Sequence, residues 1–595
     1  MRKELLALRN AMERAGVDAY VVPTDDFHGS EYVGDYFKCR AYVSGFTGSA
    51  GTLVVTTDWA GLWTDGRYFL QGAQQLAGSG IELCKMGQPG VPTVQQWLEE
   101  HLTAGQTLGF DGRTMTAGTG RTLEQAMKKL GVSLCYERDL VGEIWEDRPA
   151  LSKAPAWELE VCYAGRTRRE KLEALRDDMK KIGADCHILT SLDDLNWLLN
   201  IRGGDVACCP VVLGYLILDE AGVRLYTDET KFSSALRQGL EADDVEFRPY
   251  LSVFEDVKAI GTERTVVVDP NKVSYAILRN LPETARLLEQ PNPTELPKAV
   301  KTTAECENER MAHIKDGVAL TRFMKWLKEH VGKERITEIS AAEKLEQLRA
   351  QQEHYLGPSF DPIFGYGPHG AIVHYSATEK SDAALEPRGL LLSDTGGHYL
   401  EGSTDVTRTF ALGPLTKEMR HHYTLVLRGN LRLAAAKFRR GCTGISLDYI
   451  ARKPLWDEGL DYNHGTGHGV GYLLGIHEGP QGIRYHVSAG RSERAEMEPG
   501  MITSDEPGLY LEGKYGIRLE NLLLCVEKER NEFGTFLGFD PLTMCPFDLE
   551  AVEAESLDRE EKDLLNGYHE TVYRTLSPFF SEEERLWLRN VTRAI

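Results

Sequence analysis

The chain has 595 residues, with 68 lysines and arginines against 90 aspartates and glutamates, which gives a formal charge of −22 at neutral pH. So acidic a protein is excluded from coating nucleic acid, because binding to a polyanion needs a basic face. The absence of an apolar run of about 18 residues argues against a membrane protein, and scattered cysteines without a CxxC pair, behind a charged N-terminus, favour a reducing, cytoplasmic setting.

Two helical patterns in the first half predict an internal repeat. The first consists of Leu5, Leu8, Met12 and Ala15. The second has the same internal spacing and consists of Leu172, Leu175, Met179 and Ile182. Each pattern runs into a β-rich stretch, and LWTD at 62–65 matches LYTD at 225–228 at a slightly shorter offset, as a loop deletion would give. We therefore predict two diverged copies of one α/β domain, residues 1–150 and 151–300.

A proline-containing linker, PNPTELPKAV at 291–300, precedes a third region with a different sequence pattern. Helical patterns are predicted at 304–331, 338–352 and 416–440, with short β-rich runs among glycines and aspartates in between. The last forty residues are charged and predicted to be helical. We predict a mixed α+β domain over residues 301–595, with a helical extension at its C-terminal end.

Two aspartates belong to a predicted hairpin in this third region. In GLLLSDTGGHYLEGSTDVTRTF, the apolar run ends at Asp394, the chain reverses near Gly402, and Asp405 leads into a second β-forming run. Adjacent strands would direct both carboxylates into one site. Taken alone, the segment fits a solvated hairpin better than a metal site, and the other segments change that balance.

Three histidines fall within HGTGHGVGYLLGIHEGP, namely His464, His468 and His477. Its glycines match neither a phosphate loop nor a dinucleotide motif, and Gln481 stands where HExxH would need its second histidine. Glycine beside histidine predicts backbone that approaches another group closely. Structural loop histidines are the alternative.

The segment DEPGLYLEGKYGIRLEN contributes Glu506 before a turn and Glu520 after an alternating run. Alternation would place Arg518 on the same face as Glu520. We expect Arg518 to bond to Glu520 and fix its rotamer, although a plain surface ion pair is the default for such a spacing.

Together these segments offer four carboxylates and one imidazole, a donor set suited to manganese, cobalt, iron or zinc. Two dications would balance the four negative charges, and bridging carboxylates hold such ions roughly 3.5 to 4 Å apart, where they activate a shared water. Without cations the carboxylates would raise one another's pKa. The residues therefore predict a dinuclear hydrolase.

The order of these motifs, starting with His374 in AIVHYSATE, resembles that of the pita-bread metallopeptidases, and within them the long, three-domain Xaa-Pro aminopeptidases. The resemblance covers nearly the whole chain, including GFTGSAGT, WTDGRYFLQ, LNWLLNIRGGD and AHIKDGVAL. It implies two duplicated N-terminal α/β domains followed by a C-terminal pita-bread catalytic domain of the creatinase/aminopeptidase type.

The resemblance also implies a role for each site residue. Two divalent ions, expected to be manganese with cobalt, zinc or iron as alternatives, would be bound by Asp394, Asp405, His468, Glu506 and Glu520. Asp405 and Glu520 would bridge them, and Glu506 would also act as the base. His374 and His477 would contact substrate and serve the oxyanion or move protons, beside His464 as a further active-site histidine. Arg67 would bind substrate.

The activity implied is release of the first residue from peptides with proline second, by a dimetal-bridged hydroxide, in a cytosolic homodimer without nucleic-acid or membrane partners. A prolidase that cleaves Xaa-Pro dipeptides is the nearest alternative. A non-catalytic binding protein of this fold, as in histone-chaperone subunits that have lost the ligands, is disfavoured because all five metal-binding residue types are present.

Overall fold

The structure, a computed structural model, describes residues 1–261, 263–486 and 495–595. It divides into two compact units. The first consists of Met1–Glu160 and Arg166–Glu295, and the second of Val161–Gly165 and Leu296–Ile595. Within the described residues, no helix has both the length and the apolar character needed to cross a bilayer.

The first unit contains two six-stranded sheets. In spatial order the first sheet consists of Glu82–Lys85, Ala60–Thr64, Thr52–Thr56, Ala19–Pro23, Thr107–Phe110 and Ser133–Cys135. The second consists of Val245–Pro249, Gly222–Thr227, Tyr215–Asp219, Cys186–Leu189, Thr265–Val268 and Arg286–Glu289. A further short pair joins Trp157–Glu158 to Ile201–Arg202.

Both sheets have the same topology. The strand Ala19–Pro23 pairs antiparallel with the following strand and parallel with Thr107–Phe110. Cys186–Leu189 does the same with Tyr215–Asp219 and Thr265–Val268. The remaining pairs also agree in direction between the sheets. The predicted fold class, with duplicated α/β domains at the N-terminal end, is confirmed.

The helices of this unit cover the sheets. They are Lys3–Ala15, Cys39–Ser44, Phe69–Gln75, Val94–His101, Ala117–Leu130, Leu140–Ile144, Arg168–Ile182, Leu192–Leu199, Ser234–Ala242, Val253–Asp256 and Tyr275–Asn280. The first buries Leu5, Leu8 and Met12 as predicted, and the equivalent helix buries Leu172, Leu175 and Met179. Ile182, the last predicted core position, is 36% exposed because the helix ends there.

The two copies share their local hydrogen bonds as well. Each repeat helix ends at a glycine in the left-handed region, Gly16 with φ 67° and Gly183 with φ 70°. Two residues later an aspartate accepts a backbone N–H from the neighbouring parallel strand. Asp18 Oδ2 lies 2.7 Å from Thr107 N, and Asp185 Oδ2 lies 2.8 Å from Thr265 N. The same polar contact therefore ties helix end to sheet in both copies.

The described residues of the second unit form four antiparallel groups of strands. Its six-stranded sheet consists of Lys437–Arg439, Gly534–Pro541, Asn521–Asn531, Ile502–Asp505, Gly467–Val470 and His477–Ile483. Two three-stranded sheets consist of Ile363–Tyr366, Leu390–Thr395 and Val406–Ala411, and of Tyr355–Pro358, Gly397–Tyr399 and Gly402–Ser403. A hairpin joins Gly508–Leu511 to Tyr515–Arg518.

Helices pack against these sheets over several clusters of buried apolar side chains. They are Val161–Ala164, Thr303–His330, Glu338–Arg349, Lys417–Ala434, Gly444–Trp456, Arg559–Leu576 and Glu582–Val591, with Glu295–Ala299 at the unit boundary. The helix predicted at 416–440 ends early. Residues Lys437–Arg439 instead form an edge strand that pairs with Gly534–Pro541, a long-range contact that helical periodicity cannot reveal.

The repeated glycines give a matched test of backbone conformation. A Cβ added at Gly16 or Gly183 would meet no heavy atom within 4 Å, so alanine there should cost only the strain of a left-handed backbone, about 1 to 2 kcal/mol at each site. Gly239, in the helix Ser234–Ala242, is equally open but has no positive φ. Gly239→Ala should stabilise by about 0.5 to 1 kcal/mol. Denaturant unfolding measures all three, and equal effects at Gly183 and Gly239 would contradict this account.

Candidate metal centre

Asp394 and Asp405 are brought together by the pairing of two strands. Asp394 lies in Leu390–Thr395, opposite Thr407 of Val406–Ala411, and Asp405 immediately precedes that second strand. Both strands are completely buried and contain leucine and β-branched side chains that pack in the core. This packing fixes the position of the strand ends. The predicted hairpin is therefore present, and both carboxylates lie at the same end of it.

His468, Glu506 and Glu520 come from neighbouring strands of the six-stranded sheet. Gly469 pairs with Thr503, and Asp505 pairs with Asn521, so Glu506 and Glu520 leave the sheet side by side. A Cβ on Gly467 would lie 1.9 Å from the carbonyl oxygen of Ser504. The glycine next to His468 thus permits the close backbone approach that the sequence predicted.

These five side chains form overlapping groups of potential metal donors. In each group the donor atoms lie within 4.8 Å of one another. The groups are Asp394, Asp405 and Glu520; His468, Glu506 and Glu520; and Asp405, His468 and His477. Asp405, His468 and Glu520 each belong to two groups. The structure therefore gathers every predicted ligand into one cluster and adds His477 to its edge.

The acids in this cluster are electrostatically crowded. Burial raises the pKa of Asp394 above its ordinary value, and the charge of Asp405 adds to the rise while Arg518 opposes it. Burial and the charge of Asp405 raise the pKa of Glu520 well above its usual range. The pKa of Glu506 is also raised by burial. The cluster is thus short of positive charge.

His468 faces the carboxylates through Nε2. Its Nδ1 donates to the carbonyl of Gly469 over 2.9 Å, which fixes the ring orientation. Nε2 lies 3.5 Å from Asp405 Oδ2 and 3.8 Å from Glu506 Oε1. Burial alone would lower the pKa of His468, but the hydrogen bond to Asp405 and the charge of Glu506 raise it to about 9. The negative charges that stabilise the protonated imidazole would also attract a metal cation.

Arg518 was expected to bond to Glu520, and this prediction is wrong. Its Nη2 donates to Asp394 Oδ2 over 2.5 Å, whereas Glu520 Oε2 accepts from Thr407 Oγ1 over 2.7 Å. The strand ends at Arg518, so the alternation that would place Glu520 on the same face does not continue. Thr407, which sequence analysis missed, is the residue that orients Glu520.

His464 belongs to a chain of hydrogen bonds that begins at Arg518. Arg518 Nη1 donates to Tyr510 Oη over 2.7 Å, and Tyr510 Oη lies 2.8 Å from His464 Nε2. His464 Nδ1 donates to the carbonyl of Gly465. Burial and the charge of Arg518 lower the pKa of His464 to about 3, so the ring is neutral and accepts from Tyr510. Tyr510 carried no signal in the sequence beyond its place on an apolar strand.

The remaining predicted residues lie in three places. The His477 ring packs at a steep angle to the His468 ring, with centroids 4.4 Å apart. His374 lies in a loop whose preceding residue, Val373, accepts from Arg518 Nη2 over 3.3 Å. Arg67 belongs to the first unit, where its guanidinium donates to Asp65 over 2.9 Å.

A buried ion cluster supports the strand that carries His477. Glu478 accepts from Lys298 Nζ over 2.8 Å and also from Lys301 Nζ. Lys301 Nζ donates as well to the carbonyl of Val470, on the strand of His468. Lys301 therefore links both histidine-bearing strands. Nothing in the sequence pointed to these lysines, which lie far from Glu478 along the chain.

The cluster fits a pair of hard or borderline divalent ions. Its donors are four carboxylates and imidazole nitrogen, with no thiolate in any of the three groups. Asp394 Oδ1 is buried and has no hydrogen-bond partner in the described parts of the chain, a costly state for a carboxylate oxygen unless a cation faces it. Both features are those of a metal-binding site.

Comparison with known proteins agrees with this geometry. Residues 307–527 match the model of metallopeptidase family M24, residues 5–135 and 147–305 match models of creatinase/prolidase N-terminal domains, and residues 535–595 match the C-terminal region of the M24 peptidases.

Full-length relatives are also found. The chain is 39% identical to a probable Xaa-Pro aminopeptidase P of Paracoccidioides brasiliensis, covering 100% of this chain and 99% of the relative. A protein of the same name from Talaromyces marneffei is 38% identical, over 100% and 92% of the two chains.

Among solved structures, the X-prolyl aminopeptidase of Caenorhabditis elegans, described as a cytosolic enzyme with a di-nuclear active site, superposes with a TM-score of 0.95. It is 35% identical and covers 100% of this chain and 99% of its own. The Xaa-Pro dipeptidase of Bacillus anthracis, 23% identical with a TM-score of 0.51 over 64% of this chain and 99% of its own, shares the fold.

The fold and the donor cluster define a metallopeptidase built from creatinase-type domains. This chain belongs to metallopeptidase family M24.

The cluster predicts a metal-binding defect for Asp405→Asn. The change removes one negative charge and one donor shared by two groups, so bound divalent metal per chain should fall sharply and turnover should be lost. Metal analysis after gel filtration measures the first effect, and circular dichroism checks the fold. Asp540→Asn, which removes an acid paired with Lys528 outside the cluster, should keep its metal. Full turnover and unchanged metal in Asp405→Asn would contradict a dinuclear centre.

Proposed function

We propose that this chain is a metal-dependent aminopeptidase that releases the first residue from peptides with proline in second position. The observation that carries the proposal is the convergence of Asp394, Asp405, His468, Glu506 and Glu520 into overlapping donor groups. The names of the full-length relatives support the substrate class.

The same five side chains would hold two divalent ions, for which we propose manganese, with Asp405 and Glu520 shared between them. The oxygen-rich donor set and the di-nuclear site of the C. elegans enzyme support this proposal. When bound, the ions supply Lewis acidity that lowers the pKa of a shared water.

Glu506 is the proposed proton acceptor. Its side chain is 20% exposed, more than that of Asp405 at 5%, so it is accessible from the open side of the cluster. Ser504 Oγ donates to Glu506 Oε1 over 3.4 Å, and His468 Nε2 lies 3.8 Å from the same oxygen. These contacts orient a carboxylate that can take a proton from the attacking water and pass it on.

We assign oxyanion stabilisation, proton donation to the leaving group and substrate orientation to three histidines. His477, at the edge of the cluster, would stabilise the tetrahedral oxyanion, an effect worth about 3 to 4 kcal/mol for a well-placed donor. His374 would donate a proton to the proline nitrogen as it leaves. The neutral His464, fixed between Gly465 and Tyr510, would orient the substrate end of the site.

Proline in the second position explains why a dedicated enzyme is needed. Its ring restricts the backbone to a single narrow range of φ and removes the amide N–H that peptidases of extended substrates bind. Recognition must therefore come from ring contacts and from groups that bind the rest of the peptide. Arg67 is proposed as one such group, since Asp65 holds its guanidinium in a fixed orientation.

We further propose three domains, with boundaries near residues 150 and 300, a cytosolic location and a homodimeric state. The domain models that end at 135 and 305 support the boundaries. The description of the C. elegans enzyme as cytosolic supports the location.

Substrate preference tests the proposed activity directly. With added manganese, the protein should release the first residue from Xaa-Pro-Yaa tripeptides at least about a hundredfold faster than from Xaa-Ala-Yaa, a ratio within the reach of one dedicated pocket. Chelator should abolish the activity and manganese should restore it. Cleavage of Xaa-Pro dipeptides in preference to tripeptides would show a prolidase instead, and no metal-dependent cleavage of either would refute the proposal.

His477→Ala separates a catalytic histidine from a metal ligand. Because His477 lies at the edge of the cluster and is not one of the five proposed ligands, its loss should leave manganese content nearly unchanged while kcat falls by about a hundredfold or more. His421→Ala, which removes a histidine bound to Glu458 on the surface, should change neither quantity. Loss of metal in step with activity would make His477 a ligand and overturn its assigned role.

A further inference from the structure

Glu338, at the start of the helix Glu338–Arg349, is a buried acid that the proposed chemistry does not use. Its side chain is 0% exposed. Four groups donate to it: Tyr366 N over 2.8 Å, His369 Nδ1 over 2.8 Å, Tyr375 Oη over 2.9 Å and Ala383 N over 3.0 Å. Both carboxylate oxygens are therefore fully engaged, as a buried charge requires.

All four donors come from one segment, residues 366–383, and this segment contains His374. Two donors hold its ends, and Tyr375 is the neighbour of His374 along the chain. The His369 ring also stacks on the Tyr375 ring, with centroids 4.5 Å apart. The Glu338 carboxylate thus binds both ends and the middle of the loop 366–383.

The other side of the loop contacts the donor cluster. Val373 accepts from Arg518 Nη2, the same nitrogen that donates to Asp394. A Cβ on Gly516 would lie 1.7 Å from the carbonyl oxygen of Gly370, so the strand Tyr515–Arg518 runs directly against the loop backbone. The loop that carries His374 is therefore held between Glu338 on one side and Arg518 on the other.

Apolar packing completes the support. Tyr375 forms a buried cluster with Ile363 and Leu392, and Leu392 lies two residues before Asp394 on the same strand. Rotation of Tyr375 would open this cluster. Its hydroxyl contact with Glu338 therefore fixes both the loop and the packing beneath Asp394.

Charge strengthens the arrangement. The hydrogen bond to Glu338 raises the pKa of His369, so the pair gains a charge-assisted bond. Glu338 also lies in the first turn of its helix, where the helix dipole favours a negative charge. Both effects hold the Glu338 side chain in place.

We propose that Glu338 is a positioning residue for catalysis, which holds the loop 366–383 so that His374 faces the donor cluster. This inference rests on the proposed role of His374. A displacement of about 1 Å at a reacting group can cost about a hundredfold in rate, so a remote buried acid can control turnover without touching substrate.

The test compares two glutamates on one helix. Glu338→Gln keeps the shape but turns an acceptor into a donor that opposes the loop donors. Glu346→Gln makes the same change on the same helix, but Glu346 accepts a hydrogen bond from Tyr355 Oη, over 2.7 Å, outside the loop. With saturating manganese, Glu338→Gln should lower kcat about ten- to a hundredfold, change KM little and keep its metal, whereas Glu346→Gln should match the parent.

Hydrogen exchange supplies a readout that does not depend on activity. Amides in 366–383, above all Tyr366 and Ala383, should exchange faster in Glu338→Gln and not in Glu346→Gln. Faster exchange with unchanged kcat would overturn the positioning role and leave the proposed function standing. A parent protein that cleaves no Xaa-Pro peptide would instead sink the proposed function.

A milder pair of variants keeps the test decisive if Glu338→Gln does not fold. Tyr375→Phe removes one donor to Glu338, and Tyr355→Phe removes the matching donor to Glu346. Tyr375→Phe should lower kcat severalfold at constant metal content, while Tyr355→Phe should not. Equal effects of both, or a loss of metal in Tyr375→Phe, would refute the proposal.

Discussion

The fold of the second unit holds four carboxylates close together in a buried space. Asp394, Asp405 and Glu520 are all buried, and Glu506 lies beside them. Like charges at this distance in a low-dielectric setting repel strongly, so the arrangement costs folding free energy unless cations offset it. Arg518 and His468 supply part of that positive charge, and divalent ions would supply the rest.

Strand pairing and buried ion pairs around the cluster hold the four acids in place despite their repulsion. The acids lie at strand ends whose positions are fixed by strand register, so they cannot separate without breaking backbone hydrogen bonds. Lys301 ties the two histidine-bearing strands through Val470 and Glu478. Glu338 does the same for the loop of His374. A preorganised site of this kind needs little reorganisation during the reaction.

Much of this could be predicted from the sequence because the signals are local. The strand that carries Asp394 and the strand end before Glu506 follow from an apolar run and turn residues, and the duplicated sheets follow from a helical pattern that recurs with its capping glycine. Prediction failed where the partner is distant. The edge strand Lys437–Arg439 was expected to be helical. Its pairing strand begins only at Gly534, so local periodicity could not show the pairing.

Side-chain networks were beyond prediction for the same reason. Arg518 was assigned to Glu520 on alternation alone, but the end of the strand turns it to Asp394, 124 positions away. The lysines on Glu478 and the loop contacts of Glu338 likewise join segments far apart in sequence. Local pattern therefore identifies which residues carry the chemistry, whereas tertiary register decides which residues hold them in place.

Anomalous diffraction from crystals grown with manganese tests the central claim most directly. The account predicts two manganese peaks per chain, both within coordination distance of Asp405 and Glu520. Well-ordered crystals with no anomalous density among these side chains, or with the carboxylates turned away from one another, would contradict it.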